Sequence, residues 1–259
     1  MELYLITGFL GAGKTTFLKN FARQFAGRRL RLIINEFGRA GVDGTLLREL
    51  DAALDEISNG SIFCACRLDQ FEAALEQAAA DAPDVVLVEA SGLADPTNVR
   101  RVLAQFPAVS YQGSVCVADA ARLEKVFSTA RACPRQLAVS SLVLLNKTDL
   151  ATEAQCAEAK ALILRANPAA RIRRTQFGRF EPEWLSLIVP DVDVDEVLDM
   201  PDITLQKAVL QIRPTMPFTA LQKCLVQLAG ETWRIKGFVR VPEGIFYVDC
   251  TGPEVRLTP

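Results

Sequence analysis

The sequence predicts an α/β fold, a mostly parallel sheet with helices on both faces, closed by a small α+β domain. Three observations carry this. Short apolar runs without polar interruption recur along the first two thirds of the chain, as in strands buried on both faces. Helical patterns separate those runs, which is the order that parallel strands need. The composition then changes near Pro190, where "PDVDVDEVLDMPD" is acidic and bounded by prolines.

Taken in order, the strand candidates are Glu2–Thr7, Arg31–Asn35, Val85–Glu89, Ser114–Asp119 and Leu142–Asn146. Helices such as Thr15–Ala26, Leu68–Ala80 and Asn98–Gln105 lie between them. After the acidic stretch, "AVLQI", "PFTALQKCLVQLAG", "TWRIKGFVRV" and "GIFYVDC" read as strand, helix, strand, strand. The expected domains are residues 1–189, an acidic linker at 190–204, and a small domain at 205–259. A solvated connection is the simplest reading of the linker.

Composition removes several functional classes. The 259 residues are half hydrophobic and can bury a sizeable core. A net charge of −2 without a basic run does not suggest a nucleic-acid surface. No apolar run approaches the roughly 20 residues that span a bilayer, and the start lacks the positive charge of a secretory signal. Seven cysteines, an odd number in a chain this large, fit free thiols in a reducing cytoplasm. There is no histidine, so imidazole is unavailable as base or metal ligand. Cys116, Cys224 and Cys250 sit in apolar strand or helix patterns and read as core residues, and Trp184 and Trp233 as packing residues.

The first strand ends in Gly8-Phe9-Leu10-Gly11-Ala12-Gly13-Lys14-Thr15, which fits G-x-x-x-x-G-K-[ST] and opens a helix. Glycines at 8, 11 and 13 allow positive φ and let the amides through Ala12 and Thr16 approach phosphate oxygens. The helix N-terminus adds partial positive charge. Lys14 is placed to reach the β and γ phosphates, and the Thr15 hydroxyl to ligate Mg²⁺.

Base choice is read from Asn146-Lys147-Thr148-Asp149, an N-K-x-D tetrapeptide after an apolar strand. A carboxylate at Asp149 can accept from both N1–H and the exocyclic amine of guanine, and adenine offers no such pair. Lys147 would lie along the base plane and Asn146 would brace the loop. Glu89 ends a buried strand and suits Mg²⁺, with Gly92 close enough for its N–H to touch a γ phosphate. Glu36 likewise ends a strand, followed by a loop with Gly38, Gly41 and Gly44 that can order around metal and phosphate as a switch.

Together, "TGFLGAGKTT", "NEFGRAGVDG", "EISNGSIFCACR", "VEASGLADP", "LNKTDL", "NPAARI" and "GETWRIKGFVRV" resemble the CobW family of P-loop GTPases over most of the chain. The resemblance implies a P-loop NTPase fold and slow Mg²⁺-dependent hydrolysis of GTP to GDP. It also implies delivery of a metal or metal cofactor to a client, and the expected partner is a metalloenzyme or a corrinoid protein. The family usually carries C-x-C-C just after Asn-Gly. Aligned on Asn59-Gly60, Ser61 and Phe63 stand at its first two cysteines, Cys64 matches, and Cys66 forms a new C-x-C with it. The family's frequent His-rich segment is absent.

Cys64 and Cys66 precede the helix expected from Leu68, where the helix N-terminus and Arg67 favour thiolates. Such a pair could bind zinc, cobalt or nickel if a carboxylate, a second subunit or a cofactor completed the shell. Two loop cysteines without metal is the alternative. The sequence shows no water-positioning glutamine or arginine finger, so slow turnover is expected, accelerated by dimerisation or a client. A GTP-gated module that remodels a client without metal cargo is the rival reading. A small-molecule kinase shares the phosphate loop and leaves Asn146–Asp149 unexplained.

Overall fold

The computed structural model describes residues 1–36, 52–58, 68–190, 209–213, 215–232, 234–251 and 254–259. The chain divides into two compact units, Met1–Thr204 and Leu205–Pro259. Among the described residues no helix is long and apolar enough to cross a membrane.

Among the described residues the first unit has seven strands: β1 Glu2–Thr7, β2 Leu30–Glu36, β3 Ala53–Ser58, β4 Val85–Glu89, β5 Ser110–Asp119, β6 Leu142–Asn146 and β7 Arg171–Arg174. Their order is β3-β2-β4-β1-β5-β6-β7, with every neighbouring pair parallel. The helices are α1 Lys14–Ala22, α2 Leu68–Asp81, α3 Val99–Leu103, α4 Leu123–Thr129, α5 Ala132–Ala138 and α6 Glu153–Ala166.

β1 shows why the strands read as continuous apolar runs. Tyr4 and Ile6 point to one face, where they meet Phe17, Leu18 and Phe21 of α1. Leu3 and Leu5 point to the other, against Phe71 and Leu75 of α2. Alternate side chains are therefore buried in two different cores, and each fully buried Leu or Phe contributes about 1.5–3 kcal/mol. Trp184 adds its ring edge to Phe180 at the margin of the first core. At α6, Thr152 and Gln155 form a reciprocal capping box that fixes the helix start.

Several boundaries differ from expectation. α1 begins at Lys14, stops at Ala22 and continues as a 3₁₀ turn, Arg23–Phe25, so the uniform helix expected to Ala26 tightens at its end. The helix expected over Asn98–Gln105 is the shorter α3. β5 starts at Ser110, four residues early, because Ser110 and Tyr111 continue the pairing with β1.

The second unit has helix α7, Phe218–Glu231, and an antiparallel meander of β8 Arg234–Val241, β9 Gly244–Thr251 and β10 Glu254–Thr258. Leu221, Leu225 and Ala229 of α7 pack with Val241, Val248 and Cys250. The strand expected at "AVLQI" is not formed, since residues 209–213 are irregular, and Val209 and Leu210 are exposed. β10 takes its place as the third strand. Cys250 is buried as expected, whereas Cys224 is only half-buried on the edge of the α7 stripe.

Candidate functional site

Carboxyl ends of parallel strands are where α/β sheets hold ligands. Here β1, β2, β4, β5 and β6 end in the segments carrying Gly8, Glu36, Glu89, Asp119 and Asn146. The side chain of Glu36 and residues 37–51 lie outside the described residues. So do Cys64, Cys66, Trp233 and the acidic stretch from 191 to 204.

The loop after β1 turns on three glycines with positive φ: 133° at Gly8, 75° at Gly11 and 102° at Gly13. Side chains are excluded at two of them by neighbours as well as by backbone. A Cβ at Gly8 would fall 2.2 Å from the Val117 carbonyl oxygen of β5, and one at Gly13 would fall 2.5 Å from Nδ2 of Asn146. Gly13 caps α1 without a side chain, and the first turn holds no acidic residue. The helix dipole and first amides are thus left for an anion.

Lys14 is 8% exposed, and its Nζ donates to the carbonyls of Gly8 at 2.9 Å and Phe9 at 3.4 Å. The ammonium is thereby held over the loop. Thr15 Oγ1 donates to Glu89 Oε1 at 3.4 Å. A hydroxyl and a carboxylate oxygen side by side are the hard oxygen donors that Mg²⁺ takes, so this pair fits the ion. Thr16 is exposed beside them.

Gly92 is packed against the same loop. A Cβ there would lie 2.7 Å from the Leu10 nitrogen. Its carbonyl accepts from Nε2 of the buried Gln136 at 3.2 Å, as does Ala94 at 2.9 Å. Below the loop, Phe9, Leu10, Cys116, Val126, Cys133 and Gln136 line a cavity of about 20 Å³. That is space for about one water, so the floor of the loop is close-packed.

Asn146 is 2% exposed and joins two loops. Its Nδ2 donates to the Ala12 carbonyl at 2.9 Å, and its Oδ1 accepts from the Gly178 amide at 3.0 Å. Lys147 takes the left-handed conformation, with φ 59° and ψ 35°, and its Nζ pairs with Asp119 Oδ2 at 2.9 Å. Asp149 is exposed in the 3₁₀ turn that follows. Thr148 bonds the Thr175 carbonyl through both its amide and its hydroxyl, at 3.3 and 3.1 Å.

Three contributors escape a sequence reading. Asp119 ends an apolar run just as Glu89 does, and that shared pattern is the signal that would find it. Asn35 accepts from the Ser91 amide at 3.3 Å and donates to the Ile57 carbonyl at 3.0 Å, linking β2 to the segment before Gly92. Gln136 lies on α5 and carries no local signal. Among the described residues no group of three or more Cys, Asp or Glu side chains is arranged to hold a metal ion.

Comparison with known proteins gives a consistent picture. A family model described as the CobW/HypB/UreG nucleotide-binding domain matches residues 2–174. A Pseudomonas aeruginosa protein named zinc chaperone CobW is 32% identical over 206 residues, covering 66% of this chain and 55% of its own. An Escherichia coli protein named zinc chaperone YjiA is 26% identical over 226 residues, covering 83% of this chain and 66% of its own. The chain thus spans between 55% and 66% of the length of these two relatives. The crystal structure of the Zn(II)-bound YjiA GTPase from E. coli superposes over 100% of this chain and 88% of that one, with a TM-score of 0.52 at 17% identity. That likeness concerns the fold.

Proposed function

The chain belongs to the CobW/HypB/UreG family, and from that premise we propose that it is a Mg²⁺-dependent GTPase that hydrolyses GTP to GDP and phosphate. We further propose that it uses nucleotide state to hand a metal ion or metal cofactor to a client metalloenzyme or corrinoid protein. The carrying observation is the bond from Asn146 to the Ala12 carbonyl, which ties the base-reading segment to the phosphate loop.

Residues 1–189 act as the GTPase domain in this reading, 190–204 as a linker and 205–259 as the small C-terminal domain. Amides from Ala12 to Thr16, with Gly8, Gly11 and Gly13, hold the phosphates. Lys14 exchanges the Gly8 and Phe9 carbonyls for phosphate oxygens. Thr15, Glu89 and Glu36 would hold Mg²⁺, which when bound supplies positive charge to the phosphate oxygens. Gly92 presents its amide to the γ phosphate, and the Gln136 bond to its carbonyl holds the peptide that follows, between Gly92 and Leu93. Lys147 lies beside the base and Asp149 selects guanine. Water is the phosphoryl acceptor and turnover is slow.

Cargo is assigned to Cys64 and Cys66, whose thiolates suit zinc, cobalt or nickel. The names of the relatives, zinc chaperones, support a metal role. The protein acts in the cytoplasm and is able to form a homodimer that completes the metal shell. Ser61 and Phe63, at positions where the family usually has cysteine, favour a second reading. In it, GTP gates docking on a client without metal cargo.

Titrating the reduced protein with Zn²⁺, Co²⁺ and Ni²⁺, with and without GTP, separates these readings. Nucleotide-sensitive binding that disappears in the Cys64→Ser, Cys66→Ser variant supports the chaperone. Binding indifferent to both leaves the docking module. Equal affinity for ATP and GTP overturns the guanine assignment.

A further inference from the structure

The loop after β7 displays a residue that neither the core nor the turn requires. Phe177 has φ 55°, left-handed backbone that side chains with a Cβ adopt reluctantly. It is nevertheless a phenylalanine, and 64% exposed. The next residue, Gly178, also has positive φ, at 61°. A Cβ there would lie 2.6 Å from the Phe17 nitrogen, so the loop rests directly on the start of α1.

The backbone around the ring is held on every side. Asn20 Nδ2 of α1 donates to the carbonyls of Phe177 at 3.1 Å and Gly178 at 2.9 Å. The Gly178 amide donates to Asn146 Oδ1. Thr175 Oγ1 donates to the Arg179 carbonyl at 2.8 Å, closing the loop on itself. Thr148 holds the Thr175 carbonyl. Two of these anchors, Asn146 and Thr148, belong to the tetrapeptide assigned to base choice. The backbone that carries the ring is therefore tied to the segment of Lys147 and Asp149 through Asn146 and Thr148. Strained, over-determined backbone of this kind collects at ligand clamps, and an exposed ring on a rigid backbone offers a stacking surface at little cost in entropy.

Building on the guanine-nucleotide reading above, we propose that the Phe177 ring forms one wall of the purine site and stacks on the base that Asp149 selects. Division of labour follows from the chemistry. Asp149 discriminates by hydrogen bonds to the base edge. Phe177 contributes affinity without discriminating, because every purine has the same π-face to offer.

The test compares GDP and inosine diphosphate binding to the full chain and to its Phe177→Ala and Phe177→Trp variants by calorimetry. Inosine lacks the exocyclic amine and keeps the stacking face. Phe177→Ala is expected to bind both nucleotides about 10-fold more weakly, with their ratio unchanged. Its nucleotide-free thermal midpoint should match the parent, since the ring is exposed. Phe177→Trp should restore affinity and lose tryptophan emission, relative to the parent protein, when GDP binds. Undiminished GDP affinity in Phe177→Ala, with the parent protein binding normally, overturns this inference alone. So does a changed ratio of the two nucleotides. If the parent protein binds neither, the guanine-nucleotide reading falls and takes this inference with it.

Discussion

Asn146 Nδ2 and the Ala12 carbonyl oxygen lie 2.9 Å apart across 134 positions of sequence. One buried amide thus supports the phosphate loop and, through its oxygen, the loop after β7. Replacing Asn146 by alanine leaves the Ala12 carbonyl and the Gly178 amide without their partner. Each stranded buried group costs about 1–3 kcal/mol. Urea unfolding of Asn146→Ala should show a loss of about 2–4 kcal/mol, and nucleotide affinity should fall with it. An unchanged urea midpoint refutes the bracing role.

Gly13 meets the same amide from the other side. Gly13→Ala forces a side chain into φ 102° and to within 2.5 Å of Asn146 Nδ2. Left-handed backbone alone costs about 1–2 kcal/mol, and the contact adds to it. The two sites are neighbours, so their effects should not add. Gly13→Ala placed in the Asn146→Ala background should cost less than in the parent, because the obstructing amide is gone. A double-mutant cycle by urea unfolding measures the difference, and strict additivity contradicts it.

Asp149 is exposed, so Asp149→Asn should leave stability within about 0.5 kcal/mol of the parent. Base choice should change sharply. GTP affinity should fall by about two orders of magnitude or more, since two donors of guanine lose a charged acceptor. Xanthine nucleotides, which present a carbonyl where guanine has its amine, should gain. Competition binding with the four purine triphosphates reads this directly, and retained GTP preference refutes it.

Asp95 sits three residues past Gly92 and pairs with Arg135 of α5. Burial pushes the Asp95 carboxyl upward, but hydrogen bonds from Thr97 and the Arg135 guanidinium outweigh it and hold the pKa below its ordinary value. A depressed folded pKa stabilises fully above the unfolded value, about 3.9, and that stabilisation is lost as pH falls through the folded one. Asp95→Asn should therefore be less stable than the parent at pH 7, by about 1 kcal/mol or less because the pair is partly solvated. The gap should close as pH drops below the carboxylate range. Urea midpoints at pH 7 and pH 3 check the sign, and a gap that widens in acid contradicts it.

Burial pushes the Cys116 thiol up to about 12 and the Cys133 thiol well above its ordinary range. At pH 8 a thiol near 12 holds roughly a thousandfold less thiolate than a free one. In the native state, iodoacetamide should leave peptides carrying Cys116 and Cys133 unlabelled and modify them promptly in urea. Native labelling of Cys116 at the rate of a free thiol is inconsistent with its place in the sheet.

What the sequence discloses follows burial. β1, β4 and β6 are legible because both faces are covered, leaving unbroken apolar runs. β3 and β7 are edge strands and break that pattern. "ALDEIS" carries Asp55, which pairs with the buried Arg31 of β2, and "RIRR" reads as surface. The glycine-rich loop and Asn146–Asp149 are legible because local spacing encodes them. Asn35, Asp119 and Gln136 are not, because their partners are brought in by strand order and helix packing. "AVLQI" misleads in the opposite direction. Its apolar residues suggest a strand, but residues 209–213 form none, and β10 fills that place with a less apolar segment.

Among the described residues the sheet ends at β7, whose four residues include Arg171, Arg173 and Arg174. A terminal strand offers unmatched amides and carbonyls to any passing chain, and a row of like charges is a recognised deterrent to such pairing. A seven-stranded parallel sheet this apolar needs a guard against fibrillar growth at its rim. Arg174 is paired with Glu153, so the guanidinium groups of Arg171 and Arg173 are the charges left to repel an incoming strand, and neutralising them should promote self-association of the sheet.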